Sequence, residues 1–270
     1  MSPKPWRWTG RLGVDRLLEL AAEHATGALY LNGRWGGTIF LADGRIGYVE
    51  SVLTPGVEAL LLRPTYTNER IWAELVATLR RGETTVAASA AAELLRSHST
   101  SAVDVEILRR SAVADAALAT LGTVAPETAR TRARFRPGEK HWCETSYTFT
   151  VADVLAEVRR RKAVLERMTL GIQPRRAVRR VPKLPIERIQ LTSTQWNIAR
   201  SADGNNTPLD IAWMLGHGVF STTVAVHQMA RLGVVTAEPD LPGFPPPQLF
   251  PARHTMSFLQ ASTAEPTQNR

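Results

Sequence analysis

Ten basic side chains lie within residues 159–183 and give this sequence its clearest chemical signal. The stretch holds one acid, so its formal charge is +9, whereas the whole chain of 270 residues carries +8. Guanidinium and ammonium groups at this density attract polyanions, and we expect any polyanion to bind there. The predicted phosphate contacts are Arg159, Arg160, Arg161, Lys162, Arg175, Arg176, Arg179, Arg180 and Lys183.

The same stretch has a simpler interpretation as a solvated tether. Pro174, Pro182 and Pro185 fall in or just after it. Proline interrupts helices and favours extended chain, so a basic linker between two folded parts is also expected from this composition.

His141 and Cys143 are the one pair of side chains whose types could form a nucleophilic site. A thiolate activated by a neighbouring histidine is a nucleophile, but a lone cysteine usually packs as an inert small apolar side chain. The sequence contains no phosphate-binding loop, dinucleotide fingerprint, Gly-x-Ser-x-Gly turn or His-Glu-x-x-His helix. We therefore predict no catalytic residues, no metal site and no cofactor.

Helix start signals recur in the C-terminal part of the chain. Thr192 with Gln195 has the spacing of a capping box, and Thr207 followed by Pro208 is typical of a second helix start. Ser221 is the predicted cap of a third helix. The sequence therefore predicts three short helices between residues 187 and 240.

A tight glycine-containing turn separates the second and third of these helices, and Val234-Val235 begins an extended segment after the third. These are the elements of a winged-helix domain, whose third helix enters the DNA major groove. The predicted base contacts on its solvent side are Ser221, Thr222, Thr223, His227, Gln228 and Arg231.

The net charge of residues 187–240 does not by itself favour binding to DNA. Three basic residues stand against five acidic ones there. Because phosphate contacts supply most of the affinity for DNA, the neighbouring basic block would have to provide them. The alternative is a module that docks another protein or dimerises.

The N-terminal half predicts a small sheet covered by helices. Asn32-Gly33 and Asp43-Gly44 are hairpin dipeptides, and they separate three short apolar runs in residues 27–49. We predict a three-stranded antiparallel meander, with Arg134-Phe135-Arg136 as an edge strand. The predicted covering helices span 14–21, 55–62, 67–80 and 104–121, and a last one opens at Thr150.

This order of elements resembles the PATAN (PatA N-terminus-like) domain over residues 10–170. The resemblance is carried by the turns at Asn32-Gly33 and Asp43-Gly44-Arg45-Ile46, by Gly56-Val57-Glu58-Ala59-Leu60, and by a Val-Leu-x-Glu-x-Arg-Arg helix from Val154. It implies a sensing or interaction domain of a regulatory protein, with no catalytic residues. The following helices resemble the helix-turn-helix modules appended to such domains.

The predicted fold class is α+β: a small antiparallel meander with covering helices, followed by a three-helix winged-helix-like domain. We divide the chain into a PATAN-like domain (10–170), a basic proline-containing linker (171–186), the winged-helix-like domain (187–240) and a proline-rich, disordered tail (241–270). No apolar run is long enough to span a bilayer and the start has no signal-peptide pattern, so we expect a cytoplasmic protein with no membrane partner.

These observations predict a DNA-binding transcriptional regulator, with DNA as partner and a protein partner or second copy bound through the N-terminal domain. The alternative is a non-enzymatic signalling adaptor whose two domains both bind proteins. The position of the third helix discriminates between them. A face shared with the basic block favours DNA, whereas burial against the N-terminal domain, or a helix and block that point apart, favours the adaptor.

Overall fold

The computed structural model describes residues 13–32, 36–61, 102–122, 132–143, 147–184 and 188–239. The predicted helix over 67–80 and the predicted tail over 241–270 lie outside these residues. The strands are β1 (Gly27–Asn32), β2 (Gly37–Ala42), β3 (Arg45–Ser51), β4 (Arg132–Pro137), β5 (Val178–Arg180) and β6 (Val235–Ala237). The helices are α1 (Gly13–Ala22), α2 (Val57–Leu61), α3 (Ala102–Leu121), α4 (Val151–Glu166), α5 (Ser193–Ser201), α6 (Pro208–Leu215) and α7 (Val219–Arg231).

The N-terminal sheet has four antiparallel strands in the order β3-β2-β1-β4. The meander and its edge strand are therefore confirmed. Leu29 lies opposite Ile39, and Ile39 lies opposite Val49, so one face of the sheet presents a continuous apolar row. All three side chains are buried, and α3 packs over this core with Ala112, Val113, Ala116 and Ala117.

The second hairpin turn shows why its dipeptide has the sequence Asp-Gly. Asp43 and Gly44 both have positive φ angles, 50° and 71°, as the tight hairpin turn of this hand requires. A Cβ atom on Gly44 would collide with the carbonyl oxygen of Ala21 at the end of α1. The turn therefore needs glycine for its conformation and for the close approach of α1.

A fully buried arginine fastens α3 to the sheet. Arg109 has no exposed surface, and its guanidinium donates to the carbonyl oxygens of Gly47 (2.6 Å) and Tyr147 (2.8 Å). Glu106, one turn earlier, forms an ion pair with it at 2.8 Å. Because all three guanidinium nitrogens of Arg109 donate hydrogen bonds, the burial of this charge is compensated.

The C-terminal helices enclose a second core. Ile198 of α5, Ile211 of α6, and Val226 and Met229 of α7 are its buried centre. The predicted caps are confirmed for the first two helices. Thr192 and Gln195 form a capping box, as do Thr207 and Asp210.

The predicted linker is the part of the sequence analysis that the structure changes most. Val178 is fully buried in the C-terminal core, and β5 pairs antiparallel with β6, with Arg180 opposite Val235. Ile172 is buried in the same core. The basic stretch after residue 171 is thus partly built into the C-terminal module, because β6 finds its pairing partner there.

No single helix within the described ranges is long and apolar enough to cross a bilayer, and α6 and α7 meet those criteria only as a pair bent by 119°.

Leu29→Ala tests the first core. The side chain has no exposed surface at the centre of the sheet, so its truncation should leave a cavity and lower the free energy of unfolding by about 3 kcal/mol. The measurement is a urea titration followed by circular dichroism. Leu18→Ala is the matched control, since Leu18 is 47% exposed on α1 and should lose under about 0.5 kcal/mol. Equal losses in the two variants would contradict this core assignment.

Candidate nucleic-acid interface and domain junction

Helices α6 and α7 meet through a three-residue turn. Their axes turn through 119°, and the connection is Gly216-His217-Gly218. Gly216 ends α6 in the left-handed conformation with φ 61° and ψ 42°. The backbone thus reverses sharply enough for α7 to cross α6 steeply.

The predicted base contacts on α7 divide into exposed and buried residues. Ser221, Gln228 and Arg231 are exposed, and His227 is half-buried. Thr222 and Thr223 were expected on the solvent side, and this expectation is wrong because they are 1% and 0% exposed.

The helical period explains the burial of the two threonines. They belong to the buried stripe of α7, together with Val219, Val226 and Met229. The hydroxyl of Thr223 donates to the carbonyl oxygen of Val219 at 2.8 Å, one turn earlier in the same helix. Neither threonine can contact a base edge from this position.

Ion pairs occupy several of the predicted phosphate contacts. Glu157 accepts hydrogen bonds from Arg160 and Arg161, each at 2.6 Å, and Lys162 lies 3.8 Å from Glu166. The hydrogen bonds from Arg160 are the largest of the effects that lower the pKa of Glu157 to about 2. These basic side chains are thus partly neutralised within α4.

The β5 end of the block is also partly engaged. Arg179 forms an ion pair with Glu238, and Arg176 donates to the Glu238 carbonyl oxygen at 2.8 Å. Arg175 is half-buried. Of the nine predicted phosphate contacts, those that are exposed and have no ion pair in the described part of the chain are Arg159, Arg180 and Lys183.

Four exposed cations that have no ion pair with any described residue belong to chain segments at one end of the C-terminal module, and we call them the cationic end: Arg180, Lys183, Arg200 and Arg231. The backbone N–H of Arg180 donates to the carbonyl of Ala202, just beyond α5. The backbone N–H of the next residue, Val181, donates a hydrogen bond to the carbonyl oxygen of Val234, just beyond α7. Arg200 and Arg231 lie in the last turns of those two helices. Sequence reasoning assigned no role to Arg200.

The other end of α7 is held by the N-terminal domain. The N–H of Phe220 donates to the carboxylate of Asp115 in α3 at 3.4 Å, and Arg161 of α4 forms an ion pair with the same carboxylate at 2.5 Å. The Arg161 guanidinium carbon lies 4.7 Å from the centre of the Phe220 ring. We call Asp115, Arg161, Gly218 and Phe220 the domain junction.

Asp115 is a buried carboxyl group beside a guanidinium group. Its side chain is 2% exposed, and burial raises its pKa to about 6. Arg161 and the N–H groups of Phe220 and Val219 oppose that rise. The ion pair with Arg161 and the helix N–H groups thus favour the charged form of the carboxyl against the effect of burial.

DNA recognition would combine the cationic end with the first turn of α7, but the two lie at opposite ends of that helix. α7 has 13 residues, so its ends are about 18 Å apart. The cationic end lies at its C-terminus, whereas Ser221 lies in the first turn beside Asp115. The sequence analysis did not predict that Asp115 contacts α7. Its position between Ala114 and Ala116, on a helix face rich in alanine, could have indicated a buried carboxylate that needs a polar partner.

A cavity of about 260 Å³ lies beside the junction between the two parts of the chain. Leu60, Leu108 and Ser111 line it from the N-terminal domain, and Thr194, Ser221 and Ala225 line it from the C-terminal module. None of the described residues that line it is Asp, Glu, Lys or Arg. The lining combines apolar side chains with hydroxyl groups. The two surfaces that meet there are therefore incompletely packed.

The His141–Cys143 pair has the geometry of a structural contact. The His141 Nδ1 atom accepts from the backbone N–H of Cys143 at 3.1 Å, so Nε2 carries the proton and donates to Glu50 at 3.0 Å. The ring stacks on Tyr48 with 3.8 Å between centres. Burial raises the pKa of the Cys143 thiol to about 11, opposite to the shift that activates a nucleophile.

Metal ligands are likewise not gathered: the described ranges hold no group of three or more His, Cys, Asp or Glu side chains that could bind an ion. No family model, curated protein or solved structure matches this chain.

The thiol of Cys143 should react slowly in the folded protein. Because its pKa is raised and the side chain is buried, its thiolate fraction at pH 8 should be reduced roughly a hundredfold. The measurement is the rate of reaction with a chromogenic disulfide. The same protein in denaturant is the control, and the chain's single cysteine makes the signal unambiguous. Equal rates in the folded and unfolded protein would contradict the buried position.

Proposed function

We propose that this protein is a DNA-binding transcriptional regulator. The observation that carries the proposal is the arrangement of α6 and α7, which cross at 119° through a three-residue turn with two glycines. Helix-turn-helix motifs join helices at about 90–120° through turns of this length. Strand β5 precedes the three helices and pairs antiparallel with β6, which follows them, so the pair closes the module beside the helices.

The cationic end supports phosphate contacts. Arg180, Lys183, Arg200 and Arg231 are exposed and free of ion pairs in the described structure, so each can release counterions from DNA without first breaking an internal contact. Two of them lie at helix C-termini, where a cation is also favoured by the helix dipole. The affinity for DNA would come mainly from this end of the module.

The N-terminal domain would then sense a signal or bring two copies together. Its resemblance to the PATAN domain supports this role, which stays a prediction. Its direct contact with α7 at the junction gives a physical route from a change in this domain to the DNA-binding module.

An adaptor function is the second candidate, and a specific observation favours it. The first turn of α7, which would contact base edges in a helix-turn-helix, lies against Asp115 of the N-terminal domain. Thr222 and Thr223 are buried. A protein whose α7 stays in this position would use other surfaces to bind protein partners.

Removal of three cations of the cationic end should weaken DNA binding and its dependence on salt. For R180A/R200A/R231A, the slope of log affinity against log salt should fall by about 2.7 if each arginine contacts one phosphate. The measurement is fluorescence anisotropy with a short labelled duplex of arbitrary sequence at several salt concentrations.

The matched control is R16A/R45A/R110A. It removes three arginines that have partners within the N-terminal domain: Glu19, Thr148 and Glu106, respectively. This control should keep the wild-type slope. An equal slope change in both variants, or a salt-independent affinity of the wild type, would contradict phosphate binding by the cationic end. The absence of DNA binding together with a stable protein complex would support the adaptor.

A further inference from the structure

Helix α7 differs from its neighbours in how its first turn is capped. The N-cap residues of α4, α5 and α6 are Thr150, Thr192 and Thr207, and each hydroxyl accepts a hydrogen bond from a backbone N–H of its own helix. The N-cap of α7 is Gly218, which has no side chain and therefore makes no side-chain cap hydrogen bond. Ser221, the predicted cap, instead donates to the carbonyl oxygen of Gly218 at 2.9 Å. The cap prediction for Ser221 is therefore wrong.

A carboxylate from another domain takes the place of the missing cap. Asp115 accepts from the N–H of Phe220, and the N–H of Val219 also stabilises its charge. A helix N-terminus carries free N–H groups and a partial positive charge, so an anion there is favoured. DNA phosphates bind helix N-termini for the same reason, so Asp115 stands where a phosphate would compete.

The glycine at 218 makes this approach possible. Its backbone angles, φ −68° and ψ 140°, are ones that any residue adopts. A Cβ atom there would lie 2.8 Å from the Asp115 carboxylate and 3.2 Å from the Ser111 hydroxyl. The nearest atom thus belongs to the N-terminal domain, and the hydroxyl of Ser221 in the first turn of α7 would also lie 3.2 Å away.

We propose that the domain junction is an autoinhibitory contact, in which Asp115 of the N-terminal domain caps α7 and keeps its first turn from DNA. This inference rests on the proposed DNA-binding function. Binding of a base-paired duplex at the first turn of α7 then requires Asp115 to withdraw. The apparent affinity for DNA is reduced by the fraction of molecules in which the junction is closed.

The contacts across the junction would allow a DNA phosphate to replace Asp115 at the N-terminus of α7. The hydrogen bonds from Phe220 to Asp115 are long, at 3.4 Å, whereas Arg161 belongs to the N-terminal domain and stays with Asp115 when the module leaves. The carboxylate therefore keeps a charged partner in the open form, and the helix end exchanges one anion for another.

The test uses Gly218→Ala in the full-length protein. The alanine fits the turn but collides with Asp115, so it should open the junction and tighten DNA binding about tenfold if a tenth of the wild-type molecules are open. Asp115→Asn, which removes the charge, is the second variant and should act in the same direction. The probe is a short labelled DNA duplex of arbitrary sequence.

Two controls and one independent readout accompany these variants. Gly47→Ala adds a methyl group where the nearest atom is 3.7 Å away, and Asp15→Asn removes an exposed charge on α1. Both should bind DNA like the wild type. Hydrogen exchange at the amides of residues 219–222 reports junction opening without DNA, and it should accelerate in both junction variants.

The outcomes separate the two proposals. Faster exchange with tighter DNA binding supports autoinhibition. Faster exchange with unchanged DNA affinity overturns autoinhibition and leaves the DNA-binding function standing. Unchanged exchange overturns the role of Asp115 as the cap of α7. If neither the wild type nor the opened variants bind DNA, the proposed function and the inference that rests on it are both overturned.

Discussion

The buried carboxylate of Asp115 is the interaction on which the arrangement of the two domains depends. A charge taken out of water is costly unless it is paired and hydrogen-bonded, and Asp115 meets this requirement with one partner from each side. Arg161 supplies the positive charge from α4, and α7 supplies N–H groups from its first turn. Three helices must therefore stay close together, and Phe220 is brought under the guanidinium of Arg161 by the same geometry.

This requirement also redistributes the positive charge of the basic stretch. Arg161 forms ion pairs with Asp115 and Glu157, and Arg160 also pairs with Glu157. Arg179 pairs with Glu238. Among the nine predicted phosphate contacts, the exposed charge without an ion pair in the described structure is then that of Arg159 on α4 and of Arg180 and Lys183 at the cationic end, at the opposite end of α7 from the junction. A sequence count of +9 describes the stretch correctly but does not tell which of its side chains have internal partners.

The features that the sequence predicted well are local ones. The Asp43-Gly44 turn and the capping boxes at Thr192 and Thr207 depend on residues within four positions of each other, and all were confirmed. The errors involve distant partners. Val178 pairs with Ala237, and Asp115 caps a helix that begins more than a hundred residues later. Periodicity predicted the helix of Thr222 and Thr223 but not which of its faces is buried, because that depends on α5 and α6.

The proposed autoinhibitory switch accounts for two features that neither a protein-docking module nor a permanently DNA-binding module explains alone. A module used only to dock proteins gives no reason for four exposed cations, at or just beyond the ends of β5, α5 and α7, that form no ion pair within the described part of the chain. A module that binds DNA at all times gives no reason for a helix α7 that lacks its own side-chain cap and is approached at Gly218 by a carboxylate of the N-terminal domain. Both features are accounted for together if the N-terminal domain governs access to α7. The covered helix end then belongs to one state of a regulator, and the exposed cations are available in both states.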